Sequence, residues 1–186
     1  MNAVLFRDLL MNMLLGLTAL VMLVLPTINP PAAANTESIS PPGNMVVAIS
    51  WPEGGTDVDL WVSGPSEKKA VGYSNRGGQL FNLLRDDLGT TGDSMPFNYE
   101  NAYSRGLTAG EYIVNIHGYS LSAETTVNVE IRLGGSVERM KLLLETSLTL
   151  RQGQERTVVR FRLDAKGDVV PGSMSQVFSP LRSAKK

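Results

Sequence analysis

Thr56-Asp57-Val58-Asp59-Leu60-Trp61-Val62 (TDVDLWV, residues 56–62) alternates strictly: Val58, Leu60 and Val62 fall on one side, Asp57, Asp59 and Trp61 on the other. A period of two is the mark of a strand with one face in a core. The same period recurs in both directions from this stretch. Upstream, Met45, Val47, Ile49 and Trp51 alternate with Val46, Ala48 and Ser50. Downstream, Tyr112, Val114 and Ile116 oppose Ile113, Asn115 and His117, and Val127, Val129, Ile131 and Leu133 oppose Asn128, Glu130 and Arg132. Val159, Phe161 and Leu163 against Val158, Arg160 and Arg162 complete the set. Turn signals separate the runs at Pro52-Glu53-Gly54-Gly55, Gly64-Pro65, Gly77-Gly78, Ala109-Gly110, Gly134-Gly135 and Lys166-Gly167-Asp168. Half-buried antiparallel strands at such spacing predict an all-β domain, an antiparallel β-sandwich, over residues 45–172. The stretch Val137 to Leu150 also fits a helix face through Met140, Leu144 and Ser147, but the preceding Gly134-Gly135 turn favours a hairpin.

Ahead of this domain the composition changes twice. Residues 28–44 form a Pro/Ala-rich linker, with five prolines between Pro26 and Asn44, and such a stretch is extended and unlikely to pack. Before it, Leu9 to Pro26 reads LLMNMLLGLTALVMLVLP, without a charge and with only Asn12 and Thr18 as polar side chains. With Val4 to Phe6 the apolar stretch reaches about 20 residues, the length of a membrane-spanning helix. Residues 1–27 are therefore read as a single transmembrane helix with a short N-terminus. Arg7 precedes the run and the next basic residue is Lys68, which places the N-terminus in the cytoplasm and the β domain outside. A cleaved secretory signal ending at Ala32–Ala34 is the competing reading. The run is longer than the roughly 7–15 residues of a signal core, and Asp8 offsets the positive charge a signal needs. Residues 173–186, with Arg182, Lys185 and Lys186, read as a solvated tail.

Asp8 is the residue this helix has to explain. A carboxylate within the apolar span costs about 2.5–3.5 kcal/mol near the centre on insertion scales, and less towards an end. Asn12 lies one turn on, on the same face, followed by Leu15 or Gly16 and then Ala19. Polar then small residues on one stripe suit close contact with another helix. Leu10, Met13, Leu14, Leu17, Val21 and Val24 make the opposite, wholly apolar face. The alternative role for Asp8 is to cap the helix N-terminus.

The segment Leu5-Phe6-Arg7-Asp8-Leu9-Leu10-Met11-Asn12-Met13-Leu14-Leu15-Gly16-Leu17 resembles the membrane segment of the MotB/ExbD/TolR family: an acid near the start of a single helix, then an unbroken Leu/Val/Met run, then a Pro/Ala-rich exit. The resemblance implies a non-enzymatic subunit of an ion-driven motor in the bacterial inner membrane. It implies that Asp8 carries a proton or sodium ion, with Asn12 and Gly16 as its supporting helix face. It also implies a self-dimer inside a pentameric MotA/ExbB/TolQ-like multi-span partner, and a periplasmic domain that engages an extracytoplasmic target. The chain departs from the family in having few residues before Asp8 and no OmpA-like peptidoglycan-binding signature. In the β domain, Thr56 to Val62 with Gly64-Pro65, Gly77-Gly78-Gln79-Leu80 and Gly110-Glu111-Tyr112-Ile113-Val114-Asn115-Ile116 resemble a YfaP-like family of extracytoplasmic domains without assigned chemistry. That likeness runs from Val46 to Leu133.

Other chemistry is bounded by composition. The chain has 186 residues, a formal net charge of -1, no cysteine and one histidine. This argues against nucleic-acid binding and excludes thiolate sites, disulfides and multi-histidine metal centres. No G-x-S-x-G, H-E-x-x-H, P-loop or EF-hand pattern is present. Asp57 and Asp59 could offer oxygens to calcium together with Asn75, Asp86 or Asp87, but the expected role of the pair is an acidic solvent face. Asp86-Asp87 is read as a turn after a short strand rather than a hydrolytic pair, Trp51 and Trp61 as packing rather than a sugar platform, and His117 as a strand-surface or cross-strand group. The function class that competes with an ion-driven motor is a membrane-tethered binding module whose helix is an anchor only.

Overall fold

The computed structural model describes residues 3–28, 44–89, 97–134 and 140–182, with the side chains of the first segment described as far as Val24. The chain divides into two units, residues Met1–Ile39 and Ser40–Lys186. Among the described residues the first contains one helix, α1 (Ala3–Ile28), which continues past the predicted end at residue 27 and through Pro26. Its segment Ala3–Val24, 22 residues, is long and apolar enough to cross a membrane, as an anchor or signal helix would be. Thr18, one of the two polar side chains in its apolar run, donates its hydroxyl proton to the Leu14 carbonyl at 2.8 Å. That bond satisfies the hydroxyl within the helix, as apolar surroundings require.

The second unit is an antiparallel β-sandwich. Its strands are β1 (Met45–Pro52), β2 (Asp57–Ser63), β3 (Phe81–Arg85), β4 (Phe97–Ser104), β5 (Gly110–Ser120), β6 (Thr125–Leu133), β7 (Lys141–Leu150) and β8 (Glu155–Leu163). One sheet has the order β3-β4-β1-β6-β7 and the other β2-β5-β8. The alternation read in the sequence places Met45, Val47, Ile49 and Trp51 of β1 and Val127, Val129 and Ile131 of β6 inside, where they meet Val58, Leu60, Val62, Tyr112, Val114, Ile116 and Phe161 from the other sheet. Residues 141–150 are a strand, β7, paired with β6 from Leu133↔Lys141 to Thr125↔Leu150, so the hairpin reading holds over the helical one. The centre of the core is aromatic: Tyr112 stacks on Phe161 at 5.4 Å between ring centroids and meets Phe81 edge-on at 6.1 Å.

β2 departs from the half-buried pattern, for six of its seven residues are buried. Its inner face belongs to the core. Its outer face is covered because Trp61 lies against Gly72, with Tyr73 edge-on at 5.4 Å, and because residues beyond β8 fold back over the sheet. That return corrects the expected solvated tail at 173–186. Ser175 bridges to Arg160, the Ser179 N–H donates to the Thr157 hydroxyl at 3.0 Å, and the Ser179 carbonyl accepts from the Asn115 amide at 2.8 Å. Glu155 accepts from the Leu181 N–H at 2.9 Å, and Arg182 hydrogen-bonds to His117. Buried amide and carboxylate groups on the outer face of the sheet need partners, and this segment supplies them. Lys185 and Lys186 lie outside the described residues.

Between β2 and β3, Glu67 organises the connection. Its carboxylate accepts from the N–H groups of Gln79 at 3.0 Å, Leu80 at 2.8 Å and Phe81 at 2.7 Å. A side chain at Gly78 would run into that carboxylate, which accounts for the glycine in the Gly77-Gly78-Gln79-Leu80 run.

Truncating the stacked aromatic tests the core directly. Phe161→Ala is expected to lower the unfolding free energy by about 3–5 kcal/mol, read as a reduced urea midpoint with an unchanged slope.

Candidate functional site

The open edge of β2 gathers the buried ionisable groups of the β domain. β2 pairs only with β5 in its sheet, so its other side presents backbone groups that need partners. Val62 exchanges two bonds there with Val71, at 2.9 and 2.8 Å. The Leu60 N–H donates to Glu100 Oε2 at 2.7 Å, and the Asp87 N–H donates to Glu100 Oε1 at 3.3 Å. Glu100 is 1% exposed, on the inner face of β4 with Asn98, Ala102 and Ser104.

The segment after β3 brings two more acids to the same edge. Asp87 is buried and fixed: its Oδ2 accepts from Arg85 at 2.9 Å and the Tyr99 N–H at 3.2 Å, and its Oδ1 from the Gly89 N–H at 3.1 Å. The Arg85 guanidinium lies 4.3 Å from the centre of the Tyr99 ring. Gly89, at φ +64°, passes so close to Thr56 that any side chain would strike the Thr56 carbonyl. This approach locks the 86–89 turn against the start of β2 and leaves Asp86 facing Asp59 and Glu100. One carboxylate oxygen from each of Asp59, Asp86 and Glu100 lies within 4.8 Å of the others.

These positions revise the expected acidic solvent face. Asp57 is 7% exposed and Asp59 3% exposed. Asp59 Oδ2 is bonded to His117 Nδ1 at 2.8 Å across the β2–β5 pair, so His117 is a buried cross-strand partner rather than a surface group. Asp57 Oδ1 and Asp86 Oδ1 are buried without a hydrogen-bond partner, and so is the Oδ1 of Asn98. The turn reading of Asp86-Asp87 holds, but the two acids differ: Asp87 is held by hydrogen bonds and Asp86 is not. The Asn75 amide donates to the Ala70 carbonyl at 3.1 Å. Trp51 and Trp61 are buried, Trp51 donating its indole N–H to the Thr56 carbonyl at 2.8 Å. Glu100 had no signal in the hydrophobic pattern, because β4 buries Asn98, Glu100 and Ser104 and turns Phe97, Tyr99 and Tyr103 outward.

Crowding of acids has electrostatic consequences. Burial pushes the Glu100 carboxyl up to about 9, and the charges of Asp59 and Asp86 add to that against the bonds from Leu60 and Asp87. Burial, then the charges of Asp59, Asp86 and Asp87, push Asp57 up to about 6, with His117 opposing. Burial acts upward on Asp87 as well, but bonds from Arg85, Gly89 and Tyr99 hold it below the usual carboxylate range. A set of this kind can hold a proton or take a cation; it contains no nucleophile paired with a base. Comparison of the chain with family models, with curated proteins and with solved structures finds no match.

On the helix, Asp8 lies in the second turn of α1, too far inside to be its N-cap, which corrects that alternative. Asn12 and Gly16 follow at one-turn intervals, and a side chain built at Gly16 would meet nothing within 4 Å.

The raised carboxyls set the pH dependence of stability. Glu100 and Asp57 have folded pKa values above their ordinary ones of 4.5 and 3.8, so the folded state retains protons that the unfolded chain releases. Their contribution is complete below about pH 4 and is lost as pH rises, through about 6 for Asp57 and about 9 for Glu100. In buffer free of divalent cations the urea midpoint should therefore fall steadily between pH 6 and pH 9. A midpoint that is flat or rises over that interval would contradict the assignment.

Proposed function

We propose that this chain is the single-span subunit of an ion-driven membrane motor of the MotB/ExbD/TolR kind, with Asp8 as the ion-carrying carboxylate. The observation that carries the reading is the place of Asp8, one turn inside an apolar segment of 22 residues that is long enough to cross a membrane. A helix that serves only as an anchor needs no acid there, and an acid at membrane depth is costly unless it faces protein or water. Asn12 and Gly16 extend a polar and then small stripe from Asp8, suited to contact with neighbouring helices. In this reading two copies sit inside a pentameric multi-span partner, in a bacterial inner membrane with the N-terminus cytoplasmic. Asp8 exchanges a proton or sodium ion as it moves between the two sides. The β-sandwich stands in the periplasm and engages an extracytoplasmic target.

Ion flux tests the role of Asp8. The chain would be co-reconstituted into vesicles with a candidate multi-span partner of the MotA/ExbB/TolQ kind, and proton and sodium flux followed by fluorescence. Asp8→Asn keeps the size of the side chain and removes its charge, and should reduce flux to background without changing the amount of complex recovered. Undiminished flux in Asp8→Asn would rule out ion transfer through Asp8 and leave the helix as the anchor of a tethered binding module.

A further inference from the structure

Three carboxyl groups converge where β2, β4 and the 86–89 turn meet, and a fourth, that of Asp57, lies beside them on β2. Asp59, Asp86 and Glu100 each present an oxygen within 4.8 Å of the other two, and Asp57 precedes Asp59 by one pleat on β2. Asp59 alone of these four has a basic side chain as partner among the described ion pairs, the His117 imidazole. The Arg85 guanidinium is engaged by Asp87, at 2.9 Å.

Acidity by itself does not make a site, but the unsatisfied oxygens point to a ligand. Asp57 is more than nine-tenths buried and its Oδ1 has no hydrogen-bond partner, while Asp86 Oδ1 is buried and unpartnered on the facing turn. The charges of Asp59, Asp86 and Asp87 bear on Asp57, with His117 opposing, so the cluster is among its surroundings. Asn98, fully buried one pleat from Glu100 on β4, gives its amide protons to the Gly54 and Thr56 carbonyls at 3.0 and 3.3 Å and leaves its own Oδ1 unpartnered. Buried polar oxygens without donors are rare in folded proteins, and a hard cation is the partner that an all-oxygen, carboxylate-rich set accepts. The scaffold is also preorganised. Asp87 pins the turn through three bonds, Gly89 seats it on Thr56, and His117 orients Asp59 as an outer-shell partner orients a metal ligand.

We propose that Asp57, Asp59, Asp86 and Glu100 form a binding site for a divalent cation of the calcium class, which ties the free edge of β2 to β4 and to the 86–89 turn. Calcium suits the set better than magnesium, because it accepts six to eight oxygens in flexible geometry, whereas magnesium demands a near-ideal octahedron. The site is independent of Asp8 and of any role in ion transfer.

The test uses the full chain in mild detergent, stripped with EDTA and titrated with calcium or magnesium chloride. Calorimetry should show one calcium site with a Kd on the order of 10⁻⁴ M, weaker magnesium binding, and a melting temperature that rises with calcium. Terbium should bind the same site and luminesce on excitation of the nearby Trp51 and Tyr99. Asp86→Asn changes a carboxylate on a turn rather than in a strand, and should weaken calcium binding at least about tenfold. Its melting temperature in EDTA should match or exceed that of the unaltered chain, which separates lost binding from lost folding. Glu124→Gln, an exposed acid bonded to Arg151 at 2.7 Å, should bind calcium normally. Absence of calcium binding in the unaltered chain at millimolar calcium would overturn the proposal. So would an Asp86→Asn variant that binds calcium as tightly as the unaltered chain.

Discussion

A strand at the edge of a sheet must give its open-side N–H groups a partner, and β2 gives that of Leu60 to the carboxylate of Glu100. This bond joins the two sheets by a carboxyl group beside the apolar core. It forces a carboxylate into the interior, where burial and neighbouring acids disfavour its charge. The neighbours follow from the same constraint. The Asp87 N–H also donates to Glu100, which brings the 86–89 turn over the β2 edge and sets Asp86 beside Asp59. Gly89 permits the approach because a side chain there would strike Thr56.

Most of the fold was legible because most strands obey the period-two rule. β1, β5, β6 and β8 bury the alternating aliphatic and aromatic residues that mark them, and the Gly134-Gly135 signal separated β7 from a helix. β4 did not announce itself. Its inward positions are Asn98, Glu100, Ala102 and Ser104, while Phe97, Tyr99 and Tyr103 face away from the core, so its hydrophobic pattern is inverted. The pair Phe97 and Tyr99, two residues apart, was the one signal that could have exposed it. The candidate site was legible only in part for the same reason. Asp57 and Asp59 share one strand face in the sequence pattern and Asp86 is a further acid in reach, but their burial depends on partners distant in sequence. Neither the inverted strand that delivers Glu100 nor the returning segment 175–182 that covers the sheet is encoded in local periodicity.

The helix and the sandwich carry separate chemistry. In α1 the question is electrostatic: one acid and one amide on successive turns of an otherwise apolar helix. An acid placed a turn inside a membrane span has a use when other helices enclose it, and a stripe of Asn12, Gly16 and Ala19 gives them a surface to approach. In the sandwich the question is one of buried oxygens without donors, which a hard cation rather than a protein partner would satisfy. The two proposals stand or fall independently, since each rests on its own residues.

Stoichiometry in the membrane bears most directly on the functional account. Native mass spectrometry of the chain, purified in mild detergent from its own membrane with any multi-span protein it retains, reads the assembly without assuming which ion moves. The account predicts a particle with two copies of this chain and five of its partner. A chain that emerges as a lone monomer, with no multi-span protein bound, would contradict it.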